Sequence, residues 1–250
     1  DVLITNYIRK NEDDLIPVVP HGFKDTEEID SVDFRFRAFF SVGHFSYVWA
    51  KLYRKEFLDE NEIVFPDASL GEDKTFNFCV YGARCDIVFS DQITYVYRNN
   101  EEAVSQRYNQ DYKEIWEKNA IFFDRFMERI GGKKSYEDLS AFLMMFTLIF
   151  HVRQEYAFGM KVKDFAKVVE KYTTDDYVRT KMEYLNSERV CNGILDIPYR
   201  TGTDNLCKWI LKKRNDAIAW WLEKMFDLSI DKKHSDTRGR TTGFTAEMRI

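Results

Sequence analysis

The rhythm of apolar positions changes along the chain. Over the first hundred residues they come in short runs or alternate with polar ones. The opening "DVLITNYI" is rich in β-branched residues and reads as a strand. "DFRFRAFF" sets Phe34, Phe36, Ala38 and Phe40 against Arg35 and Arg37, a period of two that predicts a half-buried strand. "VWAKLYRKEFLDEN" begins strand-like and continues in good helix formers to about Asn61. A short helix is predicted over 69–81. Ser69 and Glu72 have the spacing of a capping box, and Gly82 sits where a helix commonly ends. "DIVF" (86–89) and "ITYVY" (93–97) read as two strands across a short turn.

Beyond about residue 108 the period becomes helical. Tyr108, Tyr112, Ile115, Trp116, Asn119, Phe122, Phe123, Phe126 and Ile130 follow it, and Gly131-Gly132 ends the run. Ser135 and Asp138 open the next helix. Its apolar arc (Leu139, Phe142, Leu143, Phe146, Ile149, Phe150) is wide enough to imply burial between other helices. Shorter helices are predicted near 161–171 and 175–189, a loop over 190–203, and one last helix over about 204–227. The pattern divides the chain into an α/β part over 1–108, a helical accessory domain over 109–228, and a polar tail over 229–250. The expected fold class is α/β, a mixed sheet with helices, followed by a mainly α-helical domain.

Composition narrows the function. The 250 residues suffice for one large domain or two small ones, and the apolar share of 44% is that of a globular protein. The formal net charge of −5 argues against a general nucleic-acid binder. That charge is uneven, about −7 over residues 1–100 and about +2 over the rest. Cys79, Cys85, Cys191 and Cys207 show no CxxC spacing, so neither a zinc motif nor a disulfide framework is indicated. The apolar run around 141–150 is about half the length that crosses a bilayer. His21, His151 and His234 have no metal-ligand spacing. No Gly-rich phosphate loop, Ser/His/Asp order or Cys-His nucleophile pattern is present.

Four segments in the α/β part carry a resemblance. "VWAKLYRKEFL" (48–58) precedes "IVFPDASLGEDKTFNF" (63–78), then "DIVFSDQITYVYRNN" (86–100), then "AVSQR" (103–107). In this order they resemble the second half of the GT-A catalytic domain of bacterial glycosyltransferase family 2, over roughly residues 1–108. The resemblance implies a nucleotide-sugar donor, a divalent metal (Mg or Mn) and inversion at the anomeric carbon. It implies a glycan or lipid-linked acceptor and a cytoplasmic setting at the inner face of the membrane. It makes Asp73 the catalytic base that takes the proton of an acceptor hydroxyl, with Glu72, Trp49, Lys51, Tyr97 and Arg98 on the acceptor side. An ordinary carboxylate is a weak base, so that transfer is expected late in the step. A helix N-terminus would lower its basicity further. The family's Asp-x-Asp metal motif has no counterpart here. "NEDD" (11–14) follows the first strand in a polar, turn-like stretch. The expectation is that the donor and metal ligands lie outside this chain, upstream of Asp1, and that the chain alone is an incomplete transferase.

Each of these residues also has a bland reading. Glu72 completes a capping box, and Asp73 serves the helix dipole. Glu72 and Asp73 are not a glycosidase pair, because neighbours on one short helix point in different directions. Trp49 belongs to the core with Lys51 a solvated neighbour; Tyr95 and Tyr97 share a strand face, for core packing or for stacking on sugar. Arg98 is a structural ion-pair residue or meets a phosphate at the site edge, and His44 lines a cleft or is structural. The last helix carries Trp209, Ile210, Ile218, Trp220, Trp221, Leu222, Met225 and Phe226 beside Lys208, Lys212, Lys213 and Arg214. It either docks on the helical domain or lies on an anionic membrane through residues 204–228. The second function class is a non-catalytic module that binds a glycan or a protein partner on the α/β scaffold.

Overall fold

A computed structural model describes residues 1–11, 14–17, 45–98, 107–131, 137–185 and 200–225. The strand expected over 33–40, the loop expected up to 199, Cys191, His21, His44, His234 and the polar tail lie outside the described residues. The first part is mixed α/β and the second mainly helical, the fold class expected. The chain divides into two compact units, Asp1–Arg107 with Lys118–Glu137, and Tyr108–Glu117 with Asp138–Ile250.

The α/β unit is built on β1 (Val2–Asn11). Along one edge β4 (Ile87–Arg98) runs parallel to it, from Val2↔Ile87 to Lys10↔Arg98. The other edge is divided between two short antiparallel partners. β3 (Lys51–Tyr53) pairs with Val2–Ile4, and β2 (Asp14–Pro17) pairs with Ile8–Asn11. "DIVF" and "ITYVY" are therefore one strand and not a hairpin. The polar Ser90-Asp91-Gln92 between them contains no residue that takes the positive φ of a tight hairpin turn. It bulges instead: the register slips between Ile4 and Asn6 and again before Tyr7, while the buried Asn6 donates from Nδ2 to Asp91 O at 3.1 Å.

α1 (Lys55–Glu60) follows β3 and buries Phe57, and α2 (Glu72–Gly82) buries Thr75 through Gly82. The entry to α2 differs from a capping box. Ser69 is exposed, the N-cap is Gly71, and no side chain caps the helix. Gly71 turns the chain in the left-handed region (φ 78°), where a glycine costs least, so the helix starts two residues later than a Ser69 cap requires. The exit differs too. Gly82 is helical and buried, with Met127 Sδ 2.6 Å from where a Cβ would lie, and Arg84 takes the left-handed position beyond the helix. Gly82 is thus small for packing, not for chain reversal. Phe78 meets Phe123 edge-on, with ring centroids 5.5 Å apart, and Phe123 lies on α3 (Tyr112–Arg129).

In the helical unit, α4 (Glu137–Ala157) is buried at every position from Leu139 to Ile149, as its wide apolar arc requires. A 3₁₀ turn (Val162–Asp164) leads into α5 (Phe165–Thr173), and α6 (Asp176–Leu185) follows. The single last helix of the sequence reading is two, α7 (Arg200–Leu211) and α8 (Asn215–Met225). Lys213 adopts φ 53° and donates to Ile210 O, and Arg214 N–H reaches Trp209 O at 2.8 Å. That pair of bonds is a Schellman stop. Ile210, Ile218 and Leu222 are fully buried, and Trp220 is exposed. Among the described residues no helix is long and apolar enough to cross a membrane. Cys79, Cys85 and Cys207 are buried and form no disulfide among the described residues.

Candidate functional site

The segment 45–50 is fastened to α2 from several directions. The buried Asn77 donates from Nδ2 to Ser46 O at 3.2 Å and to Asp73 O at 3.0 Å. Its Oδ1 accepts from Tyr53 Oη at 2.7 Å, and Tyr81 Oη donates to Phe45 O at 3.1 Å. These bonds fix the first turn of α2 against the chain that carries Trp49 and Lys51. The Val48 backbone N–H then donates to the Asp73 carboxylate.

Between Trp49 and Lys51 the backbone is strained. Ala50 lies in the left-handed region at φ 56°, without being a glycine. Thr5 offsets this by donating to Ala50 O from its backbone N–H (3.0 Å) and from its hydroxyl (2.9 Å). The twist separates the two side chains. Lys51 begins β3 and donates from Nζ to Tyr47 O. Trp49 joins the aromatic residues of β1 and β4.

Trp49 stacks on Tyr47 (centroids 4.4 Å, 13°) and on Tyr95 (4.8 Å, 16°), leans on Tyr97 (5.4 Å) and meets Tyr7 edge-on (4.6 Å). Tyr47, Trp49 and Tyr97 are half-buried and Tyr95 is exposed. The strand register explains the cluster. Tyr7 pairs with Tyr95 and Arg9 with Tyr97, so alternate residues of both strands present one face. Arg9 Cζ sits 5.8 Å from the centre of the Tyr97 ring.

The electrostatics follow from burial. Burial raises the Asp73 pKa above the ordinary carboxylate value and the neighbouring Glu72 adds to it, while the Val48 N–H and Lys51 oppose. The direction is upward, opposite to the lowering expected from a helix N-terminus. The Lys51 ammonium is pushed down to about 7 by burial, against the pull of Asp73. It is not a solvated neighbour. Burial lifts the Tyr47 phenol to about 12, so it stays a proton donor at neutral pH.

No family model matches this chain, and no curated protein matches it. Among solved structures it is similar to the crystal structure of S. aureus TarS 1–349 in complex with UDP-GlcNAc. The TM-score is 0.48 and the identity 16%, over 87% of this chain and 60% of that one. The chain thus spans 60% of the length of that structure.

Of the residues expected on the acceptor side, the fold gathers Asp73, Glu72, Lys51, Trp49 and Tyr97 around one segment. Glu72 is half-buried at the start of α2. Arg98 stands apart: it is exposed at the end of β4, opposite Lys10, and strand alternation turns it to the face away from Tyr97. Tyr7, Arg9 and Tyr47 were not anticipated. Tyr7 and Arg9 occupy alternate positions of a strand visible in the sequence, but only its parallel pairing with residues 93–97 shows what they meet. His151 is buried in the helical unit, with Nδ1 3.0 Å from Tyr172 Oη. Among the described residues no three His, Cys, Asp or Glu side chains converge to hold a metal.

Proposed function

We propose that the α/β unit forms the acceptor side of an inverting glycosyltransferase site. The observation that carries this reading is the half-buried Asp73 carboxylate, raised in basicity and fastened by the Val48 N–H next to the Trp49 stack. A base for an acceptor hydroxyl must be fixed in place and more basic than a free carboxylate, and Asp73 meets both conditions. The exposed Tyr95 edge of the stack supplies an apolar wall suited to the CH face of a sugar ring. The order of motifs shared with glycosyltransferase family 2 supports the same assignment.

In this reaction the acceptor oxygen attacks C1 of a nucleotide-activated sugar. The new C1–O bond forms as the bond from C1 to the diphosphate breaks, and the diphosphate leaves with the electron pair. The hydroxyl proton passes to Asp73. Lys51 holds the Asp73 charge without neutralising it through a direct hydrogen bond, since its own bond goes to Tyr47 O. A divalent metal belongs to this reading, with its ligands supplied from outside these 250 residues. A glycan or lipid-linked acceptor and peripheral membrane contact through 204–228 belong to it as well. Equal liposome binding with and without that segment would remove the membrane element.

Asp73→Asn in the intact protein is expected to lower turnover by about 10²–10⁴-fold without changing the thermal midpoint. In the parent protein kcat/KM should fall as pH drops through a pKa above the ordinary carboxylate range. Turnover in Asp73→Asn close to that of the parent would overturn the assignment. A second reading, a glycan-binding module without catalysis, is favoured by the aromatic stack alone. It predicts that Tyr95→Ala abolishes glycan binding, with no transfer in the intact parent protein for Asp73→Asn to remove.

A further inference from the structure

We infer that Arg9 forms an anion subsite in the aromatic cluster, and that the glycan held there carries a phosphate or carboxylate. This rests on the sugar-binding reading of the Trp49 stack. Arg9 is half-buried on β1, and its guanidinium lies against the Tyr97 ring. It also approaches the Tyr7 hydroxyl, and its charge is felt at Tyr47. Its Nε is buried with no hydrogen-bond acceptor.

The buried, unmet Nε of this half-buried guanidinium costs free energy that an anionic partner would offset. Buried charges in folded proteins are ordinarily paired, and an unmet donor on a charged group costs more than a neutral one. Scarcity of acids is not the reason, because this half of the chain is net acidic. Lys51, the other half-buried cation of the site, satisfies Nζ on Tyr47 O. Arg9, whose guanidinium lies against Tyr97 of the same cluster, keeps a buried donor with no acceptor.

The surroundings also specify the geometry of the partner. Tyr97 covers one side of the guanidinium, and Trp49 leans on Tyr97 at 5.4 Å, so the charge and the aromatic wall are adjacent. A ligand using both would place a sugar ring against the stack and an oxyanion one substituent away. The planar fork of arginine suits a phosphate or a carboxylate through paired N–H bonds, which a lysine could not reproduce.

The test uses the 250-residue chain and three probes in ligand-observed NMR titrations: glucose 6-phosphate, glucuronate and methyl β-glucoside. Both anions are expected to bind roughly tenfold more tightly than the neutral glucoside, the effect of one charge-assisted hydrogen bond. The stronger of the two identifies phosphate or carboxylate as the natural group. Arg9→Met is expected to erase the difference between charged and neutral probes. Arg9→Lys should keep part of the phosphate preference and lose that for carboxylate. It serves as the test if Arg9→Met fails to fold by circular dichroism. Equal affinity of the parent chain for all three probes, or a preference that survives Arg9→Met, would overturn the anion subsite while leaving the aromatic wall standing. No binding of any probe would overturn both.

Discussion

At the residue scale the informative position is 51. A lysine there spends its hydrogen bond on Tyr47 O and carries its charge into a half-buried place beside Asp73. Its pKa of about 7 in the folded chain lies well below its ordinary 10.5. Between these values the unfolded chain holds a proton that the folded chain has released, so this group makes stability rise with pH across that window. Below pH 7 the full cost of the buried charge is present. Lys51→Met is therefore expected to stabilise the chain by roughly 1–3 kcal/mol at pH 6, with the gain shrinking as pH rises from 7 towards 10.5. Urea unfolding at pH 6 and pH 9 measures it, and a gain of the same size at both would contradict the account. In activity, the same change removes a positive neighbour of Asp73. The acid limb of the rate profile should move to higher pH.

At the element scale, helix ends are where sequence and structure diverge most. The spacing Ser69–Glu72 satisfies the capping pattern, yet the chain uses Gly71 in the left-handed region to enter α2. The reason lies in Asn77, Ser46 and Asp73: the first turn is held by bonds to the 45–50 segment, and these dictate where the helix starts. The last helical stretch fails in the opposite way. Its apolar residues keep one periodicity through residue 222, but Lys213 stops α7 in a Schellman turn. Because a lysine occupies a position that favours glycine, Lys213→Gly is expected to stabilise the helical unit by about 0.5–1 kcal/mol. Thermal unfolding followed at 222 nm would show it; a lowered midpoint would mean that the Lys213 side chain contributes more than its backbone costs. The bulge in β4 teaches the same lesson. A polar triplet between two apolar runs suggests a turn, whereas parallel pairing with β1 over the strand's whole length leaves only room for a bulge.

At the scale of the whole molecule, the helical unit has its own buried polar centre. His151 contacts Tyr172 Oη at 3.0 Å and Glu155 Oε1 at 3.3 Å, with Tyr112 stacked obliquely at 5.3 Å. Burial holds its pKa below 6.5, against the pull of Glu155 and Glu114 and with the help of Lys171. A histidine kept neutral in the fold stabilises fully above its unfolded pKa, and that contribution is lost as pH falls. Chemical unfolding of the helical signal should lose about 1 kcal/mol between pH 7.5 and pH 5.5. His151→Gln should flatten that dependence, and an unchanged slope in the variant would assign it to other groups.

Local pattern sufficed for the fold class, mixed α/β and then mainly helical, for β1, for the strand-to-helix passage at 51–60 and for the buried character of α4. Periodicity is a property of near neighbours in the chain, and those elements are built from near neighbours. Motif order pointed to Asp73, Glu72, Trp49, Lys51, Tyr97 and Arg98, and the fold brings all of these but Arg98 around the 45–50 segment. The setting of those residues was decided by tertiary structure. Whether Asp73 is a weaker or a stronger base than a free carboxylate depends on how deeply α2 is packed, and burial with the neighbouring Glu72 raises it, the direction opposite to that expected from the helix end alone. Tyr7 and Arg9 join the aromatic cluster through the register of β1 against a strand almost ninety positions away. A slip of one residue there would turn both to the other face of the sheet, and no local pattern records that register.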